Sequence, residues 1–91
     1  LAGFRLPLVV REVGGRAALW GLVRPAGGAT TVVVQQHERG HAWKTLATVK
    51  TNSRGVWARR ASLGSSKREW RVRWTAGDGT VYTGPPTRAL P

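Results

Sequence analysis

The apolar residues of this chain alternate in short runs, and no 11-residue window keeps the spacing of an amphipathic helix. Turn sequences containing glycine separate the runs at intervals of about eight to twelve residues. Short alternating or β-branched runs with frequent turns are typical of β-sandwiches and β-barrels. The pattern therefore predicts an all-β fold, and we expect an immunoglobulin-like, or fibronectin III-like, antiparallel β-sandwich of about seven strands.

The runs and the turns between them predict seven strands. They are Leu6–Val13, Arg16–Arg24, Thr30–Gln36, Ala42–Lys50, Val56–Leu63, Glu69–Thr75 and Thr80–Thr83. The pair Gly14-Gly15 predicts a two-residue hairpin turn, and we expect the last strand to resume after Pro85-Pro86.

A chain of 91 residues has the length of one domain. We expect residues 6–91 to form the sandwich and residues 1–5 to be a linker from an upstream domain. The chain contains no methionine, so we expect it to be part of a longer protein. No apolar run reaches the roughly 18 residues that a membrane span needs, and we expect neither a membrane anchor nor oligomerisation.

Alternation also predicts which way the tryptophans point. On the sixth strand it directs Trp70 and Trp74 into the core and Arg71 and Arg73 towards solvent. Trp57 is expected in the core for the same reason.

The second strand differs, because its alternation leaves Trp20 and Leu22 facing outward. A flat indole ring packs well on the apolar face of a sugar, which makes an exposed tryptophan a candidate for carbohydrate or partner binding. Trp43 follows a turn; we expect it in the core, with sugar stacking as the alternative. Tyr82 is a further binding candidate.

The composition limits the chemistry that the chain can perform. The absence of cysteine excludes a disulfide framework, thiol catalysis and cysteine-based zinc sites. The four acidic residues are Glu12, Glu38, Glu69 and Asp78. They lie in or beside predicted turns or next to arginines, where ion pairing is their natural role, whereas a glycosidase needs two carboxylates facing a sugar. We expect no catalytic activity and no cofactor in this chain.

Residues 37–41 read H-E-x-x-H, the zinc-binding sequence of many metalloproteases. That chemistry requires a helix, which brings the first and fifth residues onto one face. Here the sequence follows a β-branched run and contains Gly40. We interpret it as a polar turn between two strands and expect no metal.

The net charge of +11 suggests attraction to anionic polymers. Arg59, Arg60, Arg71 and Arg73 are the candidates for such binding. The alternative is a solvated surface enriched in arginine by the codon usage of a high-GC genome. No nucleic-acid-binding motif is present, so nucleic acid is the least favoured of the anionic partners.

The sequence also resembles a known class of module. The resemblance is carried by R-A-A-L-W-G-L-V-R-P at residues 16–25, T-T-V-V-V-Q at 30–35, and A-W-K-T-L-A-T-V with T-N-S-R-G-V-W over 42–57. These segments resemble the small immunoglobulin-like or fibronectin III-like β-sandwich modules appended C-terminally to secreted glycoside hydrolases of actinobacteria. The opening A-G-F-R-L-P-L is similar to the junction with the catalytic barrel.

The resemblance implies an extracellular, non-catalytic accessory module of a polysaccharide-degrading enzyme. Such a module either binds polysaccharide or packs on the upstream catalytic domain and stabilises it. The alternative function is that of a basic module that binds an anionic polymer, such as an acidic cell-wall glycan, lignin or nucleic acid.

Overall fold

The computed structural model describes residues 6–23, 28–38, 40–64 and 67–90, which contain eight β-strands and no helix. The strands are β1 (Leu8–Val13), β2 (Arg16–Leu22), β3 (Thr31–His37), β4 (Lys44–Lys50), β5 (Val56–Ser62), β6 (Glu69–Thr75), β7 (Val81–Thr83) and β8 (Thr87–Arg88). Because there is no helix in these ranges, none of them offers a long apolar helix that could cross a membrane. The predicted all-β class is confirmed.

The strands pair antiparallel in two sheets. A three-stranded sheet has the order β1-β2-β5, and a five-stranded sheet has the order β4-β3-β6-β7, with β8 also paired to β6. The seven predicted strands are all present, with ends shifted by at most two residues, and β8 is the expected continuation after the two prolines. The predicted linker at residues 1–5, part of the turn at 25–28 and two residues of the loop at 64–66 lie outside the described residues.

The hairpin between β1 and β2 is the one that the sequence predicts. Val13 pairs with Arg16 across the two-residue turn, and Gly14 and Gly15 adopt φ values of 59° and 79°. Positive φ at both central residues defines the turn type that matches the twist of paired strands, and glycine adopts it without steric cost.

The core lies between the two sheets and contains three of the five tryptophans. Trp57, Trp70 and Trp74 are all buried, as alternation predicts, and Trp70 has no exposed surface. The indole N–H of Trp74 donates to Thr30 Oγ1 at 2.9 Å. The indole nitrogens of Trp57 and Trp70 have no hydrogen-bond partner among the described residues, so these two rings are held by packing.

Two local features close the sandwich, one within the three-stranded sheet and one between the two sheets. Gly21 on β2 lies against the Trp57 ring, where a Cβ atom would come within 3.1 Å of two ring carbons. At one open side, the C-terminal segment bridges the sheets, since Leu90 exchanges backbone hydrogen bonds with Val10 and Glu12 of β1 at 2.8 Å each. The sandwich therefore has a closed core and two outer sheet faces, and these outer faces are where binding surfaces are available.

Candidate functional site

An apolar surface covers the outer face of the three-stranded sheet. Strand register places Val9 and Ala58 on either side of Trp20 and places Val56 opposite Leu22. We call this surface the Trp20 face, and its members are Val9, Trp20, Leu22, Val56 and Ala58. Because the neighbours of Trp20 on β2 are buried in the core, alternation directs its ring to the outside, as the sequence predicts.

The Trp20 face is accessible and has a basic border. Trp20 is 46% exposed and Val56 is 38% exposed. One register position further along, Arg11 and Arg60 flank Ala18 on the same side of the sheet. An apolar patch bordered by charged side chains is typical of a surface that contacts another macromolecule.

The outer face of the five-stranded sheet has a different chemistry. It contains an open groove of about 550 Å³ that crosses β4, β3, β6 and β7. We call it the threonine groove. It is lined by Thr30, Thr31, Val33, Gln35, Thr45, Arg73, Thr75 and Val81. The lining thus contains four threonines, one amide and one guanidinium, and no acidic or aromatic side chain belongs to this described lining. The hydroxyl of Thr30 already accepts from the indole of Trp74, so Thr31, Thr45 and Thr75 are the threonines considered for ligand contacts.

Arg71 lies beside this groove and is held in place from two sides. Its Nε–H donates to Gln35 Oε1 at 2.7 Å, and Gln35 is the residue directly opposite it on β3. Its guanidinium lies over the ring of Trp43, 4.2 Å from the ring centroid. Since a guanidinium stacked on an indole and hydrogen-bonded at Nε has few remaining rotamers, the charge of Arg71 is fixed on the sheet surface.

The ring of Trp43 therefore lies on the outer surface, and the expectation that it packs in the core is wrong. Besides Arg71, the ring contacts the imidazole of His37, with 4.0 Å between the centroids and an angle of 40° between the planes. Trp43 is partly exposed. As a sugar-stacking candidate it shares its ring with these two side chains, which limits the free indole surface.

The acidic side chains are mostly engaged away from the threonine groove. Glu38 accepts from Arg68 at 3.0 Å, and Glu69 contacts His37 Nε2 at 2.8 Å. Asp78 lies in the turn before β7, where its carboxylate accepts from the backbone N–H of Thr80; this hydrogen bond is the main reason that the pKa of Asp78 is lowered. Within the described ranges, neither Arg71 nor Arg73 forms an ion pair.

The H-E-x-x-H sequence occupies a strand end and a turn. His37 is the last residue of β3 and His41 lies in the following turn, where its backbone carbonyl is 3.2 Å from His37 Nδ1. Both ring nitrogens of His37 thus have partners, because Nε2 contacts Glu69. No group of three or more metal-ligating side chains occurs in the part of the chain that the structure describes. The predicted position of this sequence between two strands is confirmed, since β3 ends at His37 and β4 begins at Lys44, and the expectation of no metal stays a prediction.

The structure separates the residues that the sequence grouped as binding candidates. Trp20 and Leu22 share the three-stranded face, whereas Tyr82 lies on the inner side of β7, stacked on Trp74 with 5.8 Å between ring centroids. It is partly buried against the core and adds no free aromatic surface to either outer face.

The four arginine candidates are likewise distributed over different surfaces. Arg71 and Arg73 share the outer face of the five-stranded sheet, and Arg60 lies on the outer face of the other sheet. Arg59 pairs with the buried Leu19 and is exposed at the edge strand β5.

The groove threonines and Gln35 were not predicted as site residues. Their signal in the sequence is weak, since polar residues on one side of a strand are expected on any solvated sheet face. Comparisons with protein-family models, curated proteins and solved structures gave no match for this chain. The chemistry of the two outer faces is therefore the basis for assigning a function.

Proposed function

We propose that this chain is a non-catalytic accessory module of a secreted polysaccharide-degrading enzyme, and that it packs its Trp20 face against the catalytic domain. The observation that carries the proposal is the exposed apolar surface around Trp20, on a sheet whose other side already forms the core. A tryptophan 46% exposed among valine, leucine and alanine gains free energy when another apolar surface covers it.

The composition of the Trp20 face favours a protein partner over a sugar. A sugar site needs polar side chains that hydrogen-bond the hydroxyls and fix the orientation of the ligand. Directly beside Trp20 the strand register places Val9 and Ala58, which have no hydrogen-bonding group, and the polar side chains at diagonal positions are the guanidinium groups of Arg11 and Arg60 at the border. Apolar surface with an aromatic centre and an arginine border is what interdomain contacts use.

The strand order supports the fibronectin III-like form of the sandwich within the immunoglobulin-like architecture. In the constant-type immunoglobulin arrangement, the fourth strand belongs to the sheet of the first, second and fifth strands. Here β4 pairs with β3, in the sheet of β6 and β7. This arrangement leaves only three strands on the side of the Trp20 face, which is small enough for one partner surface to cover.

The placement of the acids supports a non-catalytic role. Hydrolysis of a glycosidic bond requires a pair of carboxyl groups on either side of the sugar, roughly 5–10 Å apart. Glu38 and Glu69 are engaged by Arg68 and His37 respectively, and the described lining of the threonine groove contains no carboxylate. Hydrolysis is therefore assigned to the partner domain.

The test compares the accessibility of Trp20 in the isolated 91-residue chain and in the longest natural chain that contains it. Acrylamide quenching of wild type and Trp20→Phe gives the contribution of Trp20 by difference. We expect Trp20 to be quenched in the isolated chain and protected in the longer one, whereas the corresponding Trp43→Phe difference changes little between the two.

Two results would contradict the proposal. Equal quenching of Trp20 in both chains would show that the catalytic domain does not cover it. Retention of the isolated chain in gels containing neutral xylan or glucan, lost in Trp20→Ala, would assign the Trp20 face to sugar instead.

A further inference from the structure

We infer that the threonine groove binds a segment of an acidic polysaccharide, a chain of sugars that carry carboxylate groups, with Arg71 and Arg73 as the residues that recognise the carboxylates. This site lies on the opposite sheet from the Trp20 face and is independent of the proposed packing function.

The first argument is the match between the groove and sugar hydroxyls. A threonine hydroxyl donates one hydrogen bond and accepts others, as does a sugar hydroxyl. The amide of Gln35 adds an NH2 donor, since its Oε1 accepts from Arg71. Thr31, Thr45 and Thr75 lie on three different strands of the sheet, so these groups are spread across the groove. Its volume of about 550 Å³ falls within the range of ligand-binding clefts.

The second argument is uncompensated positive charge. Arg73 lines the groove and Arg71 is two residues away on the same face of β6, which separates their Cα atoms by roughly 6.5–7 Å. Neither pairs with an acid in the described ranges. A guanidinium binds a carboxylate with two parallel hydrogen bonds, and this geometry distinguishes an acidic sugar from a neutral one.

The third argument is that Arg71 is already ordered. Gln35 Oε1 accepts a hydrogen bond from the Nε–H of Arg71, and the ring of Trp43 lies under the Arg71 guanidinium. The Arg71 side chain therefore loses little conformational entropy when a ligand binds. Surface arginines without such contacts must be immobilised first. The contacts of Arg71 therefore favour a specific carboxylate-binding role over general attraction.

The same features disfavour single-stranded nucleic acid as the ligand. Proteins that bind it combine a basic groove with aromatic rings on which bases stack. The described lining of the threonine groove contains no aromatic side chain, and the ring of Trp43 beside it is occupied by Arg71 and His37. Hydroxyls and guanidinium groups without a stacking surface suit a polyuronate.

The experiment is affinity electrophoresis of the full 91-residue chain in gels that contain polygalacturonate, neutral hydroxyethyl cellulose or poly(dT) DNA. The variants are Arg71→Gln/Arg73→Gln and the matched control Arg59→Gln/Arg60→Gln, which removes the same charge outside the groove. A third variant, Thr75→Val, removes a groove hydroxyl and leaves the charge unchanged. Far-UV circular dichroism checks folding, and Arg73→Gln alone, at an exposed position, replaces the first double variant if that variant does not fold.

We expect polygalacturonate to retard the wild-type chain and hydroxyethyl cellulose not to. Loss of both Arg71 and Arg73 should weaken the affinity for polygalacturonate about tenfold, the control should weaken it less than about threefold, and Thr75→Val should also weaken it measurably. Equal losses in the two double variants would show that diffuse charge is responsible and would overturn the inference. It would also be overturned by the absence of retardation on polygalacturonate, by an unchanged affinity in Thr75→Val, or by tighter binding to poly(dT) that depends on Arg71 and Arg73.

Discussion

The same substitution on the inner face of one sheet and on the outer face of the other should have very different effects on stability. Trp70 on β6 has no exposed surface, whereas Trp20 on β2 is 46% exposed. A tryptophan buries roughly 150–250 Å², which at about 25 cal/mol per Å² corresponds to about 4–6 kcal/mol. Large-to-small substitutions of buried aromatic residues typically cost about 3–5 kcal/mol, so we expect Trp70→Ala to lower the free energy of unfolding by that amount.

Trp20 buries only about half as much side-chain area on folding as a fully buried tryptophan does. Its replacement by alanine at the surface leaves no closed cavity. Half of the value for Trp70 is about 2–3 kcal/mol, and because alanine retains the Cβ atom we expect a cost of about 2 kcal/mol. A domain of this length has a total stability of roughly 5–14 kcal/mol. At the lower end of this range Trp70→Ala brings the chain close to unfolding, whereas Trp20→Ala leaves it folded.

A third variant separates packing from hydrogen bonding. The indole nitrogen of Trp70 has no hydrogen-bond partner among the described residues, and an unsatisfied buried donor costs about 1–3 kcal/mol. Trp70→Phe removes that donor and retains most of the ring. We expect it to cost less than about 2 kcal/mol, well below the cost of Trp70→Ala.

The assay is urea denaturation followed by far-UV circular dichroism, since the substitutions alter tryptophan fluorescence. The comparison requires equal m-values, which report similar exposure of surface on unfolding. Equal losses in Trp20→Ala and Trp70→Ala would refute the assignment of Trp20 to the outer face.

Three further predictions concern single positions. Gly21→Ala should lower the free energy of unfolding by about 2–3 kcal/mol in urea denaturation, because the added Cβ would lie 2.5 Å from the backbone oxygen of Pro7; an unchanged midpoint would contradict this packing. Asp78 should titrate below its ordinary pKa of 3.8 by carboxyl NMR, since the backbone N–H of Thr80 stabilises the charged form. Its folded-state pKa is the lower one, so its contribution to stability is present above 3.8 and is lost as the pH falls through the lowered pKa, and a midpoint at or above 3.8 would refute this. Elemental analysis after dialysis against zinc should find well under one equivalent, because the nitrogens of His37 are engaged; a tight single site lost in His37→Ala would disprove it.

The fold could be predicted because strand parity is visible in a single sequence. Trp70 and Trp74 alternate with Arg71 and Arg73 over one uninterrupted strand, and the structure buries the first pair and exposes or half-exposes the second. The first hairpin turn could also be predicted from the sequence, since Gly14 and Gly15 form the tight turn in which glycine is preferred. Both signals are local, and each depends on residues that are adjacent in the chain.

The position of Trp43 could not be predicted because it depends on contacts between distant residues. Trp43 precedes β4, so strand alternation does not fix its direction, and the pairing of β3 with β4 shifts register between Val34 and Gln35. The ring is placed by Arg71, 28 residues away in sequence, which lies over it on the outer face. Only the three-dimensional pairing of β3 with β6 brings these residues together.

The Trp20 face is a stronger indication of function than the outer face of the five-stranded sheet. A solvated sheet face needs only polar side chains, so the arginines and threonines of the five-stranded sheet are compatible with folding alone. The hydrogen bond and ring contact of Arg71 are the observations that distinguish this face from an ordinary solvated one.

The Trp20 face is harder to explain by folding, because exposed apolar residues on a short sheet do not contribute to the core and promote association. A net charge of +11 opposes self-association through repulsion between copies, and like-charged copies would bring Arg11 and Arg60 together at the border of any symmetric contact. A partner surface with acidic residues around an apolar centre complements both features of this face, which is why we propose a second domain, and not a second copy of the chain, as its occupant.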